Sequence, residues 1–390
     1  MGTSWIRAIF FVSLILLIGY CYLAWSLVRP MHLPETGEIL AYLTLAAPFL
    51  MILWMPIFYW RRSRNAALGQ SYRRIINTSY FSLAILSLLF TATVFRDVLN
   101  LIASNVPALL GSRQLASSHG AMSTLVIVGL CTLGLLFGYY EASRTPRIRN
   151  VIVPVQGLGT DWKPLRIVQL SDLHIGQQVE EKAIRRIVAK VNALKPDFIA
   201  ITGDMVDGHP EALKKDTAPL KELSSKYGSF FVTGNHEYYW GGDAWIAEAK
   251  NLGFIPLINS HRIITNGEKR ILVAGVPDLA GESFEPVITA DPKVALEGSP
   301  SPDLKILLAH RPQVALEAEP LGYHLQLSGH THGGQFIPWT FFIRFFHPFW
   351  KGLNRHGKLW VYVSQGTGTW GPPVRLGAPA EITLLEIKAA

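Results

Sequence analysis

Five short blocks carry most of the chemistry-bearing side chains in the last 220 or so residues of the chain. They are Asp172 with His174, Gly203-Asp204, Gly234-Asn235-His236-Glu237, His310, and Gly329-His330-Thr331-His332-Gly333-Gly334. Together they hold two aspartates, one asparagine and up to five histidines. Carboxylate, carboxamide and imidazole are hard or borderline donors, suited to Mn, Fe or Zn and wrong for a thiolate site. Cys21 and Cys131 both fall in apolar runs, which excludes a disulfide framework and a cysteine-based metal site. So many donors exceed one tetrahedral site. They suit two divalent ions about 3.5–4 Å apart, which clamp a phosphoryl group and activate water. Asp172 and His174 are two apart, as are His330 and His332, so on an extended strand exit each pair points to one side. The neighbouring glycines permit tight turns and close backbone approach.

Each block follows a hydrophobic run of strand length. Strands are expected at 166–170, 198–201, 229–232, 270–274, 305–308, 324–327, 359–363 and 381–387. Five of these release a block at their carboxyl end, where α/β folds place ligands. Residues 180–194 carry Ala183, Ile184, Ile187, Val188, Val191 and Leu194 on one helical stripe, and 243–252 and 312–318 look similar. Early alternation of strand and helix followed mainly by strands predicts a two-sheet α/β sandwich rather than one open parallel sheet.

The first 150 residues differ in kind. Of the 36 basic and 28 acidic residues, they hold 12 and 4, all the basic ones Arg, leaving 24 and 24 for residues 151–390. The whole net charge of +8 therefore sits in the N-terminal part, and a neutral remainder gives no nucleic-acid footprint. Uncharged stretches at 8–28, 39–60, 75–95 and 120–140 each have 21 or 22 residues. About 20 suffice for a transmembrane helix. Tyr20, Tyr22, Trp25, Trp54, Tyr59, Trp60, Tyr139 and Tyr140 crowd their ends as an aromatic belt would. The first stretch is too long for the core of a cleaved signal peptide, and three more follow it. The expected organisation is a four-span transmembrane region, 1–150, and a catalytic domain, 151–390.

Orientation follows from arginine. The connection between the second and third spans carries Arg61, Arg62, Arg64, Arg73 and Arg74, against Arg29 in the first connection and Arg96 and Arg113 in the third. By the positive-inside rule the Arg-rich connection is cytoplasmic. Both termini and the C-terminal domain are then expected on the cytoplasmic side of the membrane.

The five blocks resemble the motifs of the calcineurin-like metallophosphoesterases: D-x-H, G-D, G-N-H-[DE], a later H, and G-H-x-H. The runs from Gly329 to Gln335 and from Gly366 to Pro373 are similar to the membrane-associated bacterial branch, and the likeness covers roughly residues 160–388. The resemblance implies a calcineurin-like fold and an ion, with Mn favoured over Fe or Zn, held by Asp172, His174 and His332. It implies a second ion held by Asn235, His310 and His330, with Asp204 bridging the two. A hydroxide bridging the ions would attack phosphorus in line. Asn235 and His236 would contact the substrate, and His236 would stabilise the equatorial oxygens or protonate the leaving oxygen. Asp207 and Glu237 are candidates to brace these groups, and Gln335 could reach substrate.

Residues 336–350 follow the last block and contain eight aromatics, Phe336, Trp339, Phe341, Phe342, Phe345, Phe346, Phe349 and Trp350, interspersed with Arg344 and His347. Such a segment is either a core element or an interfacial surface. On the second reading Trp339, Phe342, Arg344 and Phe345 contact lipid. The expected function is then hydrolysis of a phosphoester or pyrophosphate on a membrane lipid, with UDP-diacylglucosamine as one candidate within the resemblance. The alternatives are phosphodiester hydrolysis of a soluble nucleotide and a membrane phospho-ligand receptor without turnover.

Overall fold

The computed structural model describes residues 3–64, 70–105, 120–176, 178–284 and 287–390. It divides into two compact units, Met1–Tyr140 with Gly371–Val374, and Glu141–Trp370 with Arg375–Ala390.

The first unit contains helices Thr3–Leu23, Glu35–Arg64 and Gln70–Asn105 and most of Ala121–Ser143. Candidate spans run over Phe11–Met31, Glu35–Met55, Arg74–Ile102 and Ala121–Ser143, four stretches long and apolar enough to cross a membrane. The third helix does not end where its uncharged run ends, at Phe95. It continues through Arg96 and Asp97, whose side chains pair at 2.8 Å, while Asp97 also accepts from Tyr22 (2.8 Å) and Ser26 (2.7 Å) of the first span. A helix stops for want of caps or partners rather than at a charge, and here the charges have partners. The connection 65–69, Arg113 and His119 lie outside the described residues, as do the side chains of Arg61, Arg62, Arg64 and Arg73.

The second unit is built on two six-stranded mixed sheets. In chain order the strands are β1 Arg147–Val155, β2 Leu165–Leu170, β3 Phe198–Thr202, β4 Ser229–Val232, β5 Phe254–Pro256, β6 Ser260–Asn266, β7 Lys269–Gly275, β8 Leu304–Leu308, β9 Leu325–Ser328, β10 Gly352–His356, β11 Leu359–Val363 and β12 Glu381–Ala389. The sheet orders are β1-β12-β2-β3-β4-β5 and β10-β11-β9-β8-β7-β6. All eight strands expected from the sequence form, and four more join them at the sheet edges. Alternation along the strands explains the layering. Ile271 and Val273 of β7 enter a core shared with Ile167, Phe198 and Phe230 of the other sheet. Leu272 and Ala274, between and beside them, pack outward against Val314, Ala315 and Tyr323. Helix Glu181–Ala193 buries Ile184, Ile187, Val188 and Val191, the stripe its sequence predicts.

Strands β2, β3 and β4 are consecutive and parallel in one sheet, as β8 and β9 are in the other. Their carboxyl ends therefore open along one edge of each sheet. Buried Gln169 on β2 ties the sheets together there, donating to Thr202 Oγ1 of β3 (2.8 Å) and to the carbonyl of Ser328 on β9 (2.9 Å).

Candidate metal centre

The five blocks meet where those strand ends converge. Asp172, His174 and His332 form one buried triad, and Asp204, His310 and His330 another, the donor atoms of each lying within 4.8 Å of one another. Backbone bonds extend the β2–β3 pairing into the loops. Asp172 N–H donates to Gly203 O (3.0 Å) and His174 N–H to Asp204 O (3.1 Å), lacing D-x-H to G-D. Across the sheets, His330 N–H donates to Asp172 Oδ1 (3.0 Å).

The loops are not extended. Asp172, His174, Asp204, His330 and His332 all adopt left-handed φ, between 47° and 71°. Each such residue costs on the order of 1–3 kcal/mol. Left-handed turns rather than strand alternation thus bring Asp172 and His174 into one triad, whereas His330 and His332, expected to point to one side, are divided between the two. His and Asp are among the residues that best tolerate this region.

The donor atoms face one another in a way that calls for cations. His310 Nδ1 donates to Thr202 O (2.8 Å), which fixes the tautomer and leaves the Nε2 lone pair 3.2 Å from Asp204 Oδ2. Two acceptors at that separation need a proton or a metal ion between them. Burial opposes protonation of His310, but the Asp204 charge outweighs it and pushes the imidazole up to about 10. His174 Nε2 and His332 Nε2 stand 3.1 Å apart, with Asp172 Oδ1 3.4 Å from the latter. Burial holds His330 and His332 well below the ordinary histidine range, in the neutral form that ligates metal. Asn235 Oδ1 and His310 Nε2 are buried without a hydrogen bond. An orphaned carboxamide oxygen and a bare imidazole nitrogen fit a divalent ion.

Asp204 is held from one side. His236 N–H donates to its Oδ1 (2.8 Å), leaving Oδ2 near His310 and 3.9 Å from His174 Nε2. Glu237, fully buried, accepts from the N–H groups of Asp204 (3.0 Å), Met205 (2.7 Å) and Gly234 (2.6 Å), pinning the G-D and G-N-H loops to each other. The His236 imidazole lies against Asp207 (2.5 Å, Nδ1 to Oδ1). Burial disfavours its protonation, yet the Asp204 and Asp207 carboxylates raise it to about 9. Asp207 itself is held far below the carboxylate range, since the His174 and His236 charges override its burial.

Several neighbours carry no sequence signal. Arg375 is 1% exposed; its Nη1 donates to Gln365 O (2.7 Å) and Ala378 O (3.0 Å), and its Nη2 lies 3.3 Å from His332 Nδ1. Gln335 does not point its amide at the centre: it grips the backbone of Trp370, whose ring packs on His236 at 5.7 Å. Tyr239 packs on His236 from another direction at 5.2 Å. His209 meets Trp240 edge to face and His261 bonds Ala295 O, and neither belongs to the two triads.

The aromatic segment is mixed. Phe336 and Phe349 are buried, whereas Trp339, Phe341, Phe342, Phe345 and Phe346 are 46% to 75% exposed. Arg344 lies over the Phe345 ring, 5.0 Å from its centroid.

The profile of the calcineurin-like phosphoesterases matches residues 165–334, from the start of β2 through the last histidine pair. A transmembrane protein with metallophosphoesterase domain from Danio rerio is 35% identical over 288 residues, 72% of this chain and 66% of that protein. Its Bos taurus counterpart is 39% identical over 282 residues, 69% of this chain and 62% of that protein. The chain thus spans just under two thirds of these vertebrate relatives. An uncharacterized metallophosphoesterase of Campylobacter jejuni is 35% identical over 314 residues, 77% of this chain and 78% of that protein. With the motif blocks converged on two His/Asp triads and a bacterial relative matched over most of both lengths, the chain belongs to the calcineurin-like phosphoesterase family.

Proposed function

We propose that this chain is a two-metal hydrolase of a phosphoester or pyrophosphate bond carried by a membrane lipid. The observation that carries the substrate class is the run of exposed aromatics at Trp339, Phe341, Phe342, Phe345 and Phe346, which begins five residues after the last glycine of the final histidine block. Exposed rings with Arg344 and Lys351 among them have the composition of a surface that enters lipid headgroups. The four candidate spans in the same chain support a membrane-borne substrate. On this reading Trp339, Phe342, Arg344 and Phe345 meet the lipid, and the catalytic domain is residues 151–390. The arginine count among the connections supports a cytoplasmic catalytic domain at a bacterial inner membrane.

Asp172, His174 and His332 would hold one divalent ion and Asn235, His310 and His330 the other, with Asp204 shared. When bound, such a pair supplies Lewis-acid charge neutralisation and an acidified water, and Mn is the ion we favour. The chain's own residues do the rest. Asp207 holds Nδ1 of His236 and so turns Nε2 toward the reacting group. The Asp207 and Asp204 carboxylates favour the protonated ring, the form able to donate to the leaving oxygen. Glu237 keeps Asn235 and Asp204 in register by its three backbone bonds.

The test uses full-length protein in detergent supplied with Mn, comparing bis(p-nitrophenyl) phosphate with UDP-diacylglucosamine in mixed micelles. Turnover of both, lost in His236→Ala, with kcat/KM several orders of magnitude higher for the lipid, is the expected result. Equal rates would move the assignment to a soluble phosphodiester. No turnover with Mn, Fe, Co or Zn would overturn the hydrolase reading and favour a receptor.

A further inference from the structure

Two arginines act on the histidines of the triads, and they are used differently. Arg375, beside His332, spends its N–H groups on the carbonyls of Gln365, Gly368 and Ala378. Arg311 directly follows His310. Its Nε is pinned by both oxygens of Asp278 (3.0 and 3.3 Å), a carboxylate with no solvent exposure, and its own side chain is one quarter exposed. Asp278 is fixed in turn: its N–H donates to Thr233 Oγ1 (3.2 Å) and its Oδ1 accepts from Ala280 N–H (2.8 Å). Neither Nη group of Arg311 makes a hydrogen bond among the described residues. The residue before it, His310, shares its triad with His330, against which His347 packs. These two rings are in edge contact, 5.5 Å between centroids, and His347 Nδ1 is buried without a partner.

A guanidinium held at one edge, with its fork left open beside the His330 triad, is arranged for a phosphoryl oxygen pair. The reacting phosphoryl group belongs between the triads, next to His236. A single-phosphate ester brings no further charge. A pyrophosphate does, and its second phosphoryl group must be neutralised within a few ångströms of the first. We propose that Arg311 binds the non-reacting phosphoryl group of a pyrophosphate-linked substrate, so that the site selects diphosphates over monophosphate esters. This rests on the hydrolase reading for which group reacts, but not for whether the diphosphate binds.

The chemistry is shared by soluble and lipid-linked diphosphates, so the test has an arm for each. Equilibrium binding is measured with full-length, Mn-supplied His236→Ala protein in detergent, which holds ligands without turnover. One arm compares ADP-ribose with AMP. The other compares UDP-diacylglucosamine with diacylglucosamine 1-phosphate in mixed micelles. Arg311→Ala should reduce the preference for the diphosphate about tenfold in at least one arm, the loss of a charge-assisted pair, and that arm identifies the source. Because Arg311→Ala strands the Asp278 charge, Arg311→Lys is run beside it. It keeps a cation for Asp278 but loses the fork, and should reduce the preference at least threefold. An unaltered preference in both arms for the folded variants would make Arg311 a counter-ion of Asp278 and overturn the proposal. The absence of wild-type turnover would defeat the hydrolase reading and leave this comparison decisive for Arg311.

Discussion

Asp207 Oδ1 lies 2.5 Å from His236 Nδ1, and the other oxygen of the same carboxylate lies 3.2 Å from Nδ1 of His174. One side chain therefore orients both His236, the proposed acid for the leaving oxygen, and a donor of the first triad. Its position three residues after Asp204 is what lets a single loop carry a triad member and the clamp on its neighbours.

The pH profile tests this clamp. His236 has a pKa raised above the ordinary histidine value, so its acid form persists through neutral pH and is lost as pH rises through the shifted value, about 9 without metal. Bound cations repel the same proton, so in the loaded enzyme the alkaline limb of kcat/KM lies below 9. Asp207→Asn removes one of the two carboxylates that raise the pKa and should move that limb down by roughly one pH unit or more. An alkaline limb that stays in place with bis(p-nitrophenyl) phosphate would remove His236 as the acid.

Arg375 gives a prediction on metal content. Its guanidinium satisfies three buried carbonyls and touches the His332 ring on the side away from the triad. Arg375→Met keeps bulk but leaves those carbonyls unpaired, each costing about 1–3 kcal/mol before relaxation. His332 also loses the side chain packed against its Nδ1, so its ring is freer to turn out of the triad. The variant should melt several degrees lower and lose bound metal during gel filtration, read by elemental analysis. Unchanged metal retention would make Arg375 a structural strut alone.

The strands that escaped the sequence reading share one property. β1, β5, β6 and β10 are the four edges of the two sheets. A strand paired on one side leaves much of its length accessible, so its residues need not be apolar: β6 reads Ser-His-Arg-Ile-Ile-Thr-Asn and only Ile264 is buried. The interior strands are buried over most of their length, β3 and β4 at every position, and most read as hydrophobic runs. The same contrast applies to the site. The candidate ligands were legible, all but Asp172, His174 and His310 in blocks that contain glycine, because metal chemistry restricts such positions to a few residue types. Left-handed backbone at five of them was not legible, since alternation and left-handed turns both satisfy a spacing of two. Arg375 and Arg311 were invisible for another reason. Their partners are backbone carbonyls and a distant aspartate, which leave no local pattern.

Glycine at 329 is required by contact, not by φ. A Cβ there would collide with Ser171 Oγ and Asp172 Oδ2, so Gly329→Ala must displace a member of the first triad. Metal retention should fall and bis(p-nitrophenyl) phosphate turnover should drop at least 100-fold, on the order of what an ångström of misplacement costs. Gly129, with nothing within 4 Å of its would-be Cβ, supplies the control, and Gly129→Ala should retain both.

Gln335 separates positioning from substrate contact. Its side chain is buried; Oε1 accepts from Trp370 N–H (3.0 Å) and Nε2 donates to Trp370 O (2.9 Å). The amide thus fixes the backbone that presents the Trp370 ring to the edge of His236, with centroids 5.7 Å apart and the planes at 80°. Gln335→Glu keeps the acceptor but replaces the donor with an oxygen facing the Trp370 carbonyl, so the grip reverses into repulsion at one end. If Gln335 acts through Trp370 on His236, kcat should fall about tenfold or more while KM for bis(p-nitrophenyl) phosphate moves little, because binding precedes the step that needs a well-aimed imidazole. Trp370→Ala in the same background should then add little, since both changes release the same ring. A rise in KM with kcat preserved would instead put the Gln335 amide on the substrate.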